Sequence, residues 1–303
     1  MTSYFIGQKA GAVAISPHGE KAIVSDREAI AVFDRRAKNN VGWFRDLANE
    51  PKFLEYDASG EHFLSAGMGE VKIIRSSDLA EVAKATEIPA NVTITGVAMS
   101  HDRKKAFVCG NYSFAAILDC QTAKILNRFQ IDDGGGGNAE CVGAAWLDNE
   151  KKVVTAIGKS LFLFDVASAQ AAAKWDTGAK SSLTCLTATP HVIACGTVEG
   201  ELIFMDLKNP QKPEALPFTN DYIFSITASP DARLIVLRLH DWFEAMEIHS
   251  RKVVWKIGKP GSLKPGALAL SHSGDVAAFA VIDKVKSESR ILFVNPKDGT
   301  ELA

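Results

Sequence analysis

Between Val97 and Thr122 the chain reads VAMSHDRKKAFVCGNYSFAAILDCQT. A short apolar run is followed by a polar turn, a second apolar run ending in glycine, another turn, and a third run closed by aspartate. Short runs of apolar, β-branched and aromatic residues bounded by Gly, Asn, Asp and Ser read as strands joined by tight turns. The same phrase recurs in both directions along the chain. Upstream it is VAISPHGEKAIVSDREAIAVFD from Val13 and FLEYDASGEHFLSAGMGEVKIIR from Phe53. Downstream it returns from Gly143 (GAAWLDNEKKVVTAIGKSLFLFD), Cys185 (CLTATPHVIACGTVEGELIFMD), Ser225 (SITASPDARLIVLRLHDWFEAMEIH) and Leu268 (LALSHSGDVAAFAV). The residues that close the third run are Asp34, Arg75, Asp119, Asp165, Asp206, His249 and Asn295, at intervals of 41 to 46 residues.

A period of about 40–45 residues with several strands per unit is the signature of four-stranded propeller blades. A more polar fourth strand follows each third run, as in VGWFRD from Val41, ILNRFQI from Ile125 and VVWKI from Val253. The fold expected is all-β: a single seven-bladed β-propeller of four-stranded antiparallel blades filling 1–303. The blades span about 11–48, 51–91, 95–133, 141–178, 183–220, 223–259 and 265–303. The last unit has only PKDGTELA after Asn295, too little for a full outer strand. Residues 2–6, with Ser3–Ile6 as the strand proper, are therefore expected to pair into the last blade and close the ring.

Composition narrows the function classes. The 303 residues carry 34 basic and 36 acidic side chains, a net charge of −2, which argues against a general nucleic-acid or membrane-surface binder. No apolar run approaches the length of a membrane span, and the first residues show no basic region leading into an apolar one, so no secretory leader is expected. Five cysteines without a CxxC pair fit thiols used as small core residues in a reducing, cytoplasmic setting.

The repeats resemble the WD-repeat (WD40-like, YVTN-type) superfamily. The residues carrying the likeness are Ile117-Leu118-Asp119 with Thr122, Leu163-Phe164-Asp165 with Ser168, and Ile203-Phe204-Met205-Asp206. The Ser-Pro turns at Ser16 and Ser229 match as well. Third strands here close on apolar-apolar-Asp rather than on Trp-Asp. The resemblance implies a propeller that holds protein or peptide partners.

The innermost strands are the place to look for chemistry at the ring's axis. They read AVAI (12–15), FLEY (53–56), GVAM (96–99), VGAA (142–145), TCLT (184–187), FSIT (224–227) and ALAL (267–270). Glu55 is the one carboxylate and no histidine occurs, so neither a central metal nor any other cofactor is expected. His18, His101, His191 and His272 fall at or beside first turns, and their equivalent positions distribute them around the ring as solvated turn residues. The run from Ile131 to Asn138, with four consecutive glycines, reads as a connection between blades three and four. The connections of blades six and seven, in contrast, gather Arg238, His240, Trp242, Lys259, Lys264, Lys284, Lys286 and Arg290. An indole among several cations suits an acidic or phosphorylated peptide, while Trp242 packed against the outer strand is the plainer account. The expectation is a non-catalytic protein-interaction scaffold. The alternative is a hydrolase or lyase using His240, Asp241 and Glu244.

Overall fold

The computed structural model describes residues 4–5, 11–27, 29–37, 39–131, 140–147, 149–258, 263–283 and 288–302. Seven four-stranded antiparallel sheets form the blades, each built from strands consecutive in sequence except at the seam. Blade 3 is typical: Ile94–Met99, Lys105–Gly110, Ala115–Asp119 and Ile125–Arg128 run from the axis outward. No helix among the described residues is long and apolar enough to cross a membrane.

Burial explains the sequence pattern. The second and third strands of each blade are covered on both faces by neighbouring blades, so they read as continuous apolar runs rather than alternating ones. Ala106, Phe107, Val108 and Cys109 are all fully buried. Aromatic rings lock blade to blade: Phe129 lies 5.6 Å from Phe107 and 5.3 Å from Phe164 of the next blade. Phe243 of blade 6 stacks on Phe279 of blade 7 at 4.4 Å. Outer strands such as Glu81–Lys84 keep most of their surface in water.

The recurrent polar residues are turn devices. Where the third strand ends, Asp119 Oδ1 accepts the Gln121 and Thr122 amides and the Thr122 hydroxyl, and Asp165 Oδ1 accepts the amide and hydroxyl of Ser168. In the first turn, the hydroxyls of Ser16, Ser100, Ser229 and Ser271 accept the amides of Lys21, Lys105, Leu234 and Val276. The Trp175-Asp176 dipeptide lies in the outer strand Gln170–Asp176 and takes no part in these turns.

A second device ties blades together. Glu70 opens the third strand of blade 2 and accepts the Ala48 amide (3.2 Å) from the preceding connection. Glu201 occupies the same place in blade 5 and accepts the Lys180 amide at 2.9 Å. Both carboxylates are 5% exposed.

The ring closes as expected. Tyr4 and Phe5 pair antiparallel with Ile291 and Arg290 in the third strand of blade 7, Glu288–Val294. Further along the same edge, Glu301 bridges Val294, and the Leu302 amide donates to the Phe293 carbonyl at 2.7 Å. Both ends of the chain thus share the outer edge of one blade. The glycine-rich run after Ile131 lies outside the described residues.

Candidate functional site

All seven innermost strands run in the same direction. The turns between first and second strands therefore gather at one end of the axis, the turn face. The connections between second and third strands, and between blades, gather at the other, the loop face. A channel joins the two. Toward the turn face it widens into a cavity of about 610 Å³ and toward the loop face into a second of about 440 Å³, with Glu55, Thr95 and Phe224 lining both. Two hydroxyls on the wall are spent on inter-blade bonds: Thr95 donates to the Cys141 carbonyl, and Thr184 to that of Ile223 at 2.6 Å.

At the loop-face mouth stands Arg238, the last residue of its strand. Its guanidinium lies 4.9 Å over the Phe224 ring, and Phe224 in turn packs against Tyr222 at 4.6 Å. Burial pushes the Arg238 pKa down to about 10, and no carboxylate or hydrogen-bond acceptor among the described residues meets the group. Lys52 and Glu140 complete the rim.

The other sequence candidates do not gather around it. Trp242 is folded back, its Nε1 donating to Glu244 Oε2 at 2.8 Å with the Lys256 ammonium of the outer strand 3.6 Å over its ring. His240 is exposed and pairs with Asp241 at 3.2 Å. Glu244 is buried and held by Trp242 and by Lys256 at 3.7 Å. Lys264 is exposed on the innermost strand of blade 7, and Arg290 lies half-buried on the third strand. Lys259, Lys284 and Lys286 lie outside the described residues.

Exposed large apolar side chains divide sharply between the faces. Met68, Tyr112 and Val198 sit in second-to-third-strand turns, and Tyr222 in the connection entering blade 6. The remainder, Val41, Trp43, Val82, Leu126, Val253 and Val254, lie on outer strands at the circumference. None among the described residues is on the turn face.

The turn-face mouth carries groups that the sequence pattern keeps apart. Arg103 reaches from blade 3 to blade 2, its Nη1 3.4 Å from Glu55 Oε2 and hydrogen-bonded to the Tyr56 carbonyl. The Glu55 side chain keeps 38% of its surface accessible, yet it is enclosed by the ring, because what it faces is the channel rather than bulk solvent. Burial pushes its carboxyl pKa up, against the opposing charge of Arg103. His101 and His272, expected to stand apart, meet with ring centroids 5.7 Å apart. They belong to blades 3 and 7, nearly opposite in a ring of seven, so their contact spans the mouth. Among the described residues, no three His, Cys, Asp or Glu side chains are grouped to hold a metal ion.

No protein-family model matches the chain, and no curated protein was found to match it.

Proposed function

We propose that the chain is a non-catalytic, WD40-like interaction platform that holds an acidic or phosphorylated segment of a partner protein over the loop-face mouth. The observation that carries this reading is the placement of Met68, Tyr112, Val198 and Tyr222 around the one face whose centre holds an unpaired guanidinium. Apolar and aromatic side chains around a desolvated arginine are the composition of binding hot spots. A half-buried arginine without an acceptor gains a charge-assisted, bidentate bond when a carboxylate or phosphate arrives. Five buried cysteines, none of them in a disulfide, agree with work in a reducing cytoplasm. The competing hydrolase reading is disfavoured because Glu244 is already engaged by Trp242 and Lys256.

The test is affinity capture from the native cytoplasm with the wild-type chain and with Arg238→Gln and Tyr222→Ala. A stoichiometric partner whose affinity drops at least about 5-fold in each variant, the equivalent of about 1 kcal/mol, supports the reading. A partner held equally by all three chains, or no stoichiometric partner, overturns it.

A further inference from the structure

The turn-face mouth has a composition of its own, independent of the loop face. In the first turns of blades 1, 2 and 7, Gly19, Gly60 and Gly274 adopt left-handed backbone geometry (φ 73°, 74° and 74°), and blade 6 places Ala232 there at φ 57°. Blade 3 places Arg103 in that position at φ 53°. An L-residue with a side chain costs roughly 1–2 kcal/mol in this region. What the geometry achieves is to send a guanidinium from the turn to the rim of the channel, with 17% of the side chain exposed.

Only one end of that guanidinium is used. Nη1 meets Glu55 and the Tyr56 carbonyl, while Nε and Nη2 have no partner among the described residues. Those two N–H groups point in parallel from one edge of the plane, the arrangement that takes two oxygens of a carboxylate or phosphate. His101 and His272 line the same cavity and make no hydrogen bond among the described residues. Their ring nitrogens are the next donors available across the mouth.

Charge points the same way. The groups facing His272 are Arg103 and His101 of blade 3 and His18 of blade 1. Glu55 lies behind Arg103. Asp102 and Asp231, in neighbouring turns, accept from the hydroxyls of Ser100 and Ser229. Burial first, and then Arg103, His101 and His18, hold the His272 pKa below the usual imidazole range. Among the residues that line the cavity, one carboxylate, itself shifted toward its neutral form, stands with one guanidinium and two imidazoles.

We infer that the turn-face mouth binds the oxyanion of a small molecule, a carboxylate or a phosphate, with two oxygens on Nε and Nη2 of Arg103 and donors from His101 and His272. The cavity of about 610 Å³ is in the range of small-molecule sites, and its wall of mixed polar and apolar side chains receives the rest of the ligand. A bound anion favours imidazolium, so affinity rises as pH falls from 8 to 6.

Calorimetric titrations of the full chain with inorganic phosphate and with succinate, each at pH 6 and pH 8, test this. The variants are Arg103→Gly, which the sister turns show to be compatible with the backbone, the double change His101→Gln/His272→Gln, and Arg238→Gln on the opposite face. The expected result is saturable 1:1 binding of one probe at pH 6, weakened at least 10-fold at pH 8 and in both turn-face variants, and unchanged in Arg238→Gln. The probe that binds identifies the oxyanion as phosphate or carboxylate. No saturable binding by the folded wild-type chain, binding retained in either turn-face variant, or binding lost in Arg238→Gln overturns the inference.

Discussion

Replacing Lys72 by methionine isolates the energetics of the blade 1–blade 2 junction. Lys72 is 3% exposed, and its ammonium lies 2.8 Å from Glu81, 3.3 Å from Glu70 and against the Asp46 carbonyl. Burial disfavours its charge, but Glu81 and Glu70 outweigh that and raise its pKa. Methionine keeps the stem and removes the charge. Glu70 would retain Lys84 at 3.0 Å and the Ala48 amide, and Glu81 can turn to water. The Asp46 carbonyl would lose its partner. Breaking a fully buried pair costs about 3–5 kcal/mol; with Glu70 half-compensated, the expected loss is about 3 kcal/mol, including about 1–2 for the orphaned carbonyl. Removing the opposing charge as well, in Lys72→Met/Glu70→Gln, recovers about 2 kcal/mol of it. Urea denaturation followed by circular dichroism at pH 7 and pH 4 measures both. For Glu70, burial works against ionisation, but Lys84, Lys72 and the Ala48 amide hold its pKa low. Its contribution is therefore present above the ordinary carboxylate range and lost as pH falls through the lowered value, so the Lys72→Met penalty shrinks at acid pH. A single variant within about 0.5 kcal/mol of wild type, the usual span of surface substitutions, or a double variant no better than the single, would refute the reasoning.

Other perturbations probe the turns, the seam and the channel. Asp119→Ala removes the acceptor of three hydrogen bonds and should cost about 1–2 kcal/mol at pH 7. Burial opposes ionisation of Asp119, but the Thr122 hydroxyl and the Thr122 and Gln121 amides hold its pKa low, so the cost disappears in acid, as a urea series from pH 7 to 2 would show. Deleting residues 1–5 removes the pairing of Tyr4 and Phe5, and hydrogen exchange should accelerate at the amides of Arg290–Leu292 while blade 3 stays protected. Glu55→Gln acts in the opposite sense to Asp119. A raised carboxyl pKa means stability present below the ordinary value of 4.5 and lost as pH rises through the raised one, so this variant should melt higher than wild type at pH 8 and level with it at pH 4.

Features made by contiguous residues are readable from the chain. The Asp119–Thr122 turn closes on itself within four residues, so its pattern survives as a sequence motif and its period counts the blades. The missing outer strand of the last unit points to Tyr4–Phe5 because an open edge must be covered. Side-chain convergence is not readable. His101 and His272 meet only because blades 3 and 7 oppose each other across the axis, a relation that turn alignment cannot express. Trp242 looks available in the sequence because the register that brings Lys256 over its ring depends on the irregular pairing of the outer strand. Arg103 does leave a signal, since it stands where three sister turns have glycine.

The shared edge of blade 7 also sets an order of events. Other outer strands are joined to their neighbours by short hairpins, as Ile117 is to Asn127. Phe5 meets Arg290 only once the intervening chain is in place. Closing a loop of about 285 residues costs about 3 kcal/mol more than closing one of about 10. The pairing of Tyr4–Phe5 is therefore the last to be secured during synthesis, and until then Glu288–Val294 is an open template. In a concentrated refolding mixture the same pairing can be made between two copies, and strand-exchanged dimers are the kinetic product expected to compete with the closed ring.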